Sequence, residues 1–213
     1  IRGIINRGGE QGAQHSQALH AWFAHVPGLR VVMPSTVADA RDLLIASVLC
    51  KDPVVYIDDR WLYDQEDELS PIVELDLKSQ KPLITQKGVD ITIVASGHAS
   101  LLASGASVKL RKKGVSAEVI DIRVLNPLNV DVIIESVIKT KHLLVVDSGW
   151  ISTGFSGEIV AKVVEKLPVD CLNKSPVRIA LPDAPAPTSR VLEKAYYTSV
   201  DDVVNGAKNI LNN

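Results

Sequence analysis

The sequence predicts an α/β fold with mainly parallel sheets and helices on both faces, and two observations carry that reading. Short runs that are apolar throughout, rather than at alternate positions, recur along the 213 residues, as in strands covered on both sides. Segments with helical spacing lie between them, and this strand–helix alternation is the sequence form of a parallel sheet.

The elements follow in order. "IRGII" (Ile1–Ile5) reads as a strand stopped by the glycine-rich "NRGGEQG". "QALHAWFAHV" places Leu19, Trp22, Phe23 and Val26 on a helical stripe. "LRVVMP" reads as a strand ended by Pro34, and Thr36 with Asp39 forms a capping pattern that opens a helix to about Leu49. "PVVYID" (Pro53–Asp58) is the next strand. From Asp59 to Gly88 the rhythm breaks into acidic, aperiodic "DDRWLYDQEDELSP" and polar "DLKSQKPLITQKG", a linker with or without a short hairpin.

The rhythm then restarts. Strand "DITIVAS" (Asp90–Ser96) leads to a helix from about Ala99 to Lys113, and strand "SAEVIDIR" (Ser116–Arg123) to a helix near Val130–Lys139. Strand "HLLVVDS" (His142–Ser148) precedes a helix near Gly157–Leu167. Strand "VRIALPD" (Val177–Asp183) and the loop "APAPTSR" precede a last helix, capped by Ser199 and Asp202. Residues 1–58 thus read as the back end of one domain, 59–87 as a linker and 88–213 as a complete α/β domain.

Composition narrows the function classes. Hydrophobic residues are 46% and charged residues 23%, enough to bury a proper core. A net charge of −2 gives no footprint for nucleic acid or an anionic membrane. No apolar run reaches the length of a membrane span. Cys50 and Cys171 lie far apart and match no metal spacing, which points to a reducing, cytoplasmic setting. The chain starts in a strand without an initiator Met, so its true N-terminus reads as missing.

In parallel sheets ligands sit beyond the carboxyl ends of strands. "NRGGEQGAQHSQ" occupies that place after the first strand, so His15 reads either as a general acid or base or as a polar loop residue. His20 and His25 read as surface or half-buried packing, His98 as a polar residue in a strand-to-helix turn, and His142 as solvent-facing. The run "GWISTGFSGE" matches no nucleotide cradle, and its Trp150 and Phe155 read as interface contacts.

"GAQHSQALHAWFAHVPGLRVVMPSTVADARDLLIASVLCKDPVVYID" resembles the β subunit of thiamine-dependent 2-oxoacid dehydrogenases, the decarboxylating components of the pyruvate and branched-chain complexes. The likeness continues through "VIDIRVLNPLNVDVIIESVIKTKHLLVVDSGW", "GFSGEI" and "LPDAPAPTSRVLEKAYY" and covers essentially the whole chain. It implies a partial pyrimidine-binding domain of a thiamine diphosphate fold followed by a transketolase C-terminal-like domain. It also implies an α subunit carrying the Mg²⁺ and diphosphate site, a second β subunit, and a lipoyl acyltransferase core. The histidine matching His15 is implied to assist proton transfer around the thiamine adduct and acylation of the lipoyl group. Ser47, Val48, Cys50 and Asp52 match a segment that binds potassium through main-chain carbonyls in some members, though Cys50 and Asp52 replace the usual Asp and Asn.

The family's activating glutamate matches no residue here, being upstream of the residue aligned with Ile1. The resemblance therefore implies a C-terminal fragment, inactive alone, that holds no cofactor-binding residue of its own. It implies a cytoplasmic setting, or the mitochondrial matrix in a eukaryote. A non-catalytic assembly module and another transketolase-like thiamine enzyme are the alternative readings.

Overall fold

A computed structural model describes residues 1–211. In the first sheet β1 (Arg2–Ile5), β3 (Val54–Asp59) and β2 (Arg30–Val32) lie parallel in that spatial order. A further strand, β7 (Val124–Asn126), closes this sheet antiparallel to β2. The second sheet has the order β4 (Leu83–Gln86), β6 (Ala117–Asp121), β5 (Ile91–Ala95), β8 (Leu143–Trp150) and β9 (Val177–Leu181). All its neighbours are parallel except β4 against β6. The α/β class with mainly parallel sheets is as the sequence predicts.

Eight helices are described: α1 (Gly12–His15), α2 (His20–His25), α3 (Val37–Leu49), α4 (His98–Arg111), α5 (Asp131–Thr140), α6 (Phe155–Val164), α7 (Arg190–Tyr196) and α8 (Val200–Leu211). The caps read from sequence form. Thr36 Oγ1 accepts from the Asp39 N–H at 3.1 Å, and at α8 the Asp202 N–H donates to Ser199 Oγ while the Ser199 N–H donates to Asp202 Oδ2.

The alternation of side chains along the strands sorts the helices between the two faces of the second sheet. Ile93, Val119, Leu144 and Val146 face α4 and α8, where Ala99, Ala103 and Ala106 let Val203, Val204 and Ala207 approach closely. Val94, Ile120 and Val145 face α5 and α6 through Ile133, Val137, Ile159 and Val163. That second cluster also contains Ile5, Val31, Val55 and Ile57 of the first sheet and Met33 just after β2, so both sheets share one core. Each such fully buried aliphatic side chain contributes about 1.5–3 kcal/mol. Gly97 lies at the junction: its φ is +54° and a Cβ there would fall 2.5 Å from Met33 Cε.

Four features differ from the sequence reading. β7 leaves the β6 region to pair with the other sheet, and α7 forms from Arg190 onward, where the sequence reading gave no element. The stretch 59–87 holds a 3₁₀ turn (Arg60–Leu62) and β4, and it buries Leu77. The stripe on α2 faces the core only in part: Phe23 packs inward with Ala21 and Ala24, but Trp22 is 71% exposed and Val26 43%. Among the described residues no helix is long and apolar enough to cross a membrane.

Candidate active site

The loop after β1 ends in a single helical turn, α1, with His15 at its last position and exposed. Two ties fix that turn. Gly12 has φ +61° and is buried against Thr188, where a Cβ would meet Cγ2 at 2.6 Å, so only glycine fits. The Glu10 N–H donates to the Glu193 carboxylate at 3.0 Å, and Glu10 Oε1 accepts from the Arg190 N–H at 3.2 Å. The segment "APAPTSR" and α7 therefore buttress the histidine loop from 180 residues away.

His15 opens on a cleft of about 390 Å³ lined by Ile4, Asn6, Gln11, Gln14, Gln17, Leu19 and Arg60. Two apolar residues, four amides, an imidazole and a guanidinium can hold a small polar molecule and exchange a proton with it. No lining residue is a carboxylate, the hard oxygen donor that a Mg²⁺–diphosphate group needs. The cleft does not fit that group.

A buried polar cluster lies beside the cleft. Arg7 and Asp59 form an ion pair with side-chain exposures of 5% and 0%. Asp59 Oδ1 also accepts from the Trp61 N–H at 3.1 Å, and the Trp61 indole donates to the Arg7 carbonyl. The Arg7 guanidinium lies over the Trp61 and Tyr197 rings, 5.6 and 5.9 Å from their centroids. Trp61 meets the edge of His98 at 4.9 Å. Burial, reinforced by the Arg7 charge, pushes the His98 imidazole down to about 4.

Two histidines, His20 and His142, differ from the sequence reading, while His98 lies in the strand-to-helix turn as read. His20 is 1% exposed, not at the surface, and its Nε2 meets Asp147 Oδ1 at 2.8 Å. Burial alone would raise the Asp147 carboxyl, but His20 and the N–H groups of Gly149 (2.9 Å) and Ser156 (2.7 Å) outweigh it and hold it low. His98 is buried in the cluster just described. His142 is half-buried, with Nδ1 2.9 Å from the Asp90 carbonyl. Phe155 is likewise in the core and not at an outer contact, and the Trp150 indole donates to the Ala184 carbonyl within the chain. No local signal marks His20, because Asp147 lies 127 positions away.

The buried carboxyl of Asp121 joins the two halves. Ser100 Oγ donates to it at 3.0 Å from α4, and Ser35 Oγ donates from the loop after β2. Burial is the largest influence and raises it to about 6 against the two hydroxyls; Asp39 adds to the rise and Arg123 opposes it.

Asp121 and His98 thus oppose each other in acid. A raised carboxyl stabilises the fold below about pH 4 and loses that contribution as pH rises through about 6. A depressed imidazole stabilises it above about 6.5 and loses that contribution as pH falls through about 4. Each shift is about 2 units, on the order of 3 kcal/mol. Urea midpoints between pH 4 and 6.5 check this. Relative to the unmodified chain, Asp121→Asn gains stability with rising pH and His98→Asn loses it. Parallel slopes contradict the assignment.

At the potassium-type segment Ser47, Val48, Cys50 and Asp52 lie where α3 ends and turns toward β3. Their side chains are engaged or turned away. Ser47 Oγ donates to the Leu43 carbonyl, Asp52 pairs with Arg30 at 2.7 Å and Lys78 at 3.5 Å, and Val48 is exposed. Among the described residues no three His, Cys, Asp or Glu side chains group as a metal centre.

Comparison with known proteins adds the following. The sequence model of "Transketolase, C-terminal domain" matches residues 80–203, and that of "Transketolase, pyrimidine binding domain" matches residues 2–65. The pyruvate dehydrogenase E1 component subunit beta of Rhizobium meliloti is 35% identical over 208 residues, covering 98% of this chain and 45% of that protein. Its mitochondrial counterpart in Saccharomyces cerevisiae is 36% identical, covering 94% and 56%. The chain spans about half the length of these curated relatives. A solved "split gene transketolase, inactive beta4 tetramer" matches with a TM-score of 0.83 over 99% of this chain and 66% of that one. At 21% identity that is a likeness of fold.

Proposed function

The chain belongs to the transketolase C-terminal domain family, and from that premise we propose that it is the C-terminal part of the β subunit of a thiamine-diphosphate-dependent 2-oxoacid dehydrogenase. The reaction is oxidative decarboxylation of a 2-oxoacid with acyl transfer to a lipoyl group. One observation carries the reading. The relatives at 35% and 36% identity over nearly the whole chain are pyruvate dehydrogenase β subunits, and the sequence they resemble sets His15 on a fastened turn at the mouth of a polar cleft.

In this reading the domains divide as 1–58, 59–87 and 88–213. His15 is the group that donates or accepts a proton at the cleft, on an imidazole free to reach solvent. Thiamine diphosphate, when bound in the assembled enzyme, would supply an electron sink. Its Mg²⁺ and diphosphate are held by an α subunit, and a second β subunit and a lipoyl acyltransferase core complete the assembly. Potassium fits only as a main-chain site at Ser47, Val48, Cys50 and Asp52, on carbonyls at the end of α3, which lack helical partners, and in the turn just after it. The setting is cytoplasmic, or the mitochondrial matrix in a eukaryote.

Isothermal titration of the isolated chain with thiamine diphosphate and Mg²⁺ tests the division of labour. No saturable heat is expected at micromolar cofactor, and saturable binding contradicts it. Melting the chain in KCl and in choline chloride tests the cation site: potassium is expected to raise the midpoint, and identical midpoints contradict it.

A further inference from the structure

The cleft that His15 lines contains one guanidinium, that of Arg60. Three arginines meet at the carboxyl end of β3, and two of them are matched. Arg2 Nε donates to Asp58 Oδ2 at 2.6 Å, and Arg7 pairs with Asp59. Among the described residues Arg60 has no ion-pair partner, and it is exposed in the wall that also contains His15.

Its backbone is nevertheless held firmly. Asp59 at the preceding position caps the 3₁₀ turn through the Trp61 N–H, the Trp61 indole is fastened to the Arg7 carbonyl, and the Tyr63 N–H closes the turn on the Arg60 carbonyl at 3.2 Å. The sequence thus spends a buried ion pair and an indole on aiming a turn whose first side chain is an unmatched guanidinium. A guanidinium presents a planar fork of N–H donors that suits a carboxylate through two parallel bonds. The amides of Asn6, Gln11, Gln14 and Gln17 around it can donate to a neighbouring carbonyl oxygen, while Ile4 and Leu19 can shelter a short aliphatic group. An adjacent carboxylate and carbonyl on a short aliphatic chain are the features of a 2-oxoacid.

We propose that Arg60 binds the carboxylate of a small 2-oxoacid in the cleft that His15 lines, and so positions the acid beside the imidazole. This rests on the function proposed above and names the residue that would read its substrate. Arg60 here is a binding residue, and no bond is made or broken at it.

The test needs neither cofactor nor turnover. The imidazole resonances of His15 are followed by NMR in the chain as it stands while pyruvate is added. Methyl pyruvate, which has the same carbonyl without the charge, is run in parallel, as is inorganic phosphate. Pyruvate is expected to shift the His15 signals saturably and methyl pyruvate to leave them in place. Arg60→Gln should weaken the pyruvate effect at least about 5-fold, the scale of a charge-assisted pair at a partly open site. Arg111→Gln, on the exposed end of α4, should leave it unchanged. Circular dichroism confirms that both variants are folded.

Three results overturn the proposal: no saturable shift in the unmodified chain, an equal response in Arg60→Gln, or tighter binding of phosphate than of pyruvate. None of these decides whether the assembled enzyme decarboxylates 2-oxoacids. A failure of Arg60 is therefore distinguishable from a failure of the functional reading.

Discussion

His15→Ala in the assembled αβ enzyme is expected to lower turnover by roughly 10²-fold, the scale of a lost acid–base group. The loss should fall on kcat, because the imidazole is exposed at the cleft and supports no packing that cofactor binding needs. Its neighbours hold the turn without it. Gly12 is seated against Thr188, and Glu10 is fastened to Glu193 and Arg190 through backbone and carboxylate groups. The variant should therefore melt with the unmodified protein. Steady-state rates with a lipoyl acceptor and with an artificial electron acceptor check it. Turnover at the unmodified level with both acceptors makes His15 a structural residue.

The largest stability effect is expected at Asp59. Removing its carboxylate by Asp59→Ala leaves the Arg7 guanidinium charged, 5% exposed and without its counter-ion. Breaking such a pair from one side costs about 3–5 kcal/mol, a large part of the 5–15 kcal/mol that ordinarily separates folded from unfolded. The same change removes the acceptor for the Trp61 N–H, so the turn carrying Arg60 should loosen as well. Urea unfolding measures the first effect and Trp fluorescence the second. Replacing both partners, Arg7→Met with Asp59→Leu, should recover much of the loss because no unpaired charge remains. A single variant as stable as the double one contradicts this account of the pair.

Local pattern made most of the scaffold legible. Continuous apolar runs such as "DITIVAS" and "HLLVVDS" marked strands covered on both faces, and Thr36–Asp39 and Ser199–Asp202 marked helix starts, because these signals are complete within a few residues. The misses are non-local. β7 exists because Val124 and Asn126 pair with Val32 and Val31, about 90 residues earlier. His20 is buried because Asp147 meets it from the far half of the chain. The α2 stripe misled because apolar spacing shows that a face exists without showing what covers it. At the site, the position of His15 after a strand was readable. The cleft was not, since Arg60 reaches it from the end of β3 and α7 supports it from the C-terminal region.

Under the proposed function this chain is the C-terminal part of a β subunit whose assembly decarboxylates 2-oxoacids. The direct measurement is carbon dioxide release by the chain joined to the upstream half of its subunit and assembled with an α subunit, thiamine diphosphate and Mg²⁺. Release from a 2-oxoacid that depends on all four additions is expected, with transfer of the acyl group to a lipoyl domain. An assembly that leaves 2-oxoacids intact and instead moves two-carbon units between sugar phosphates would contradict it.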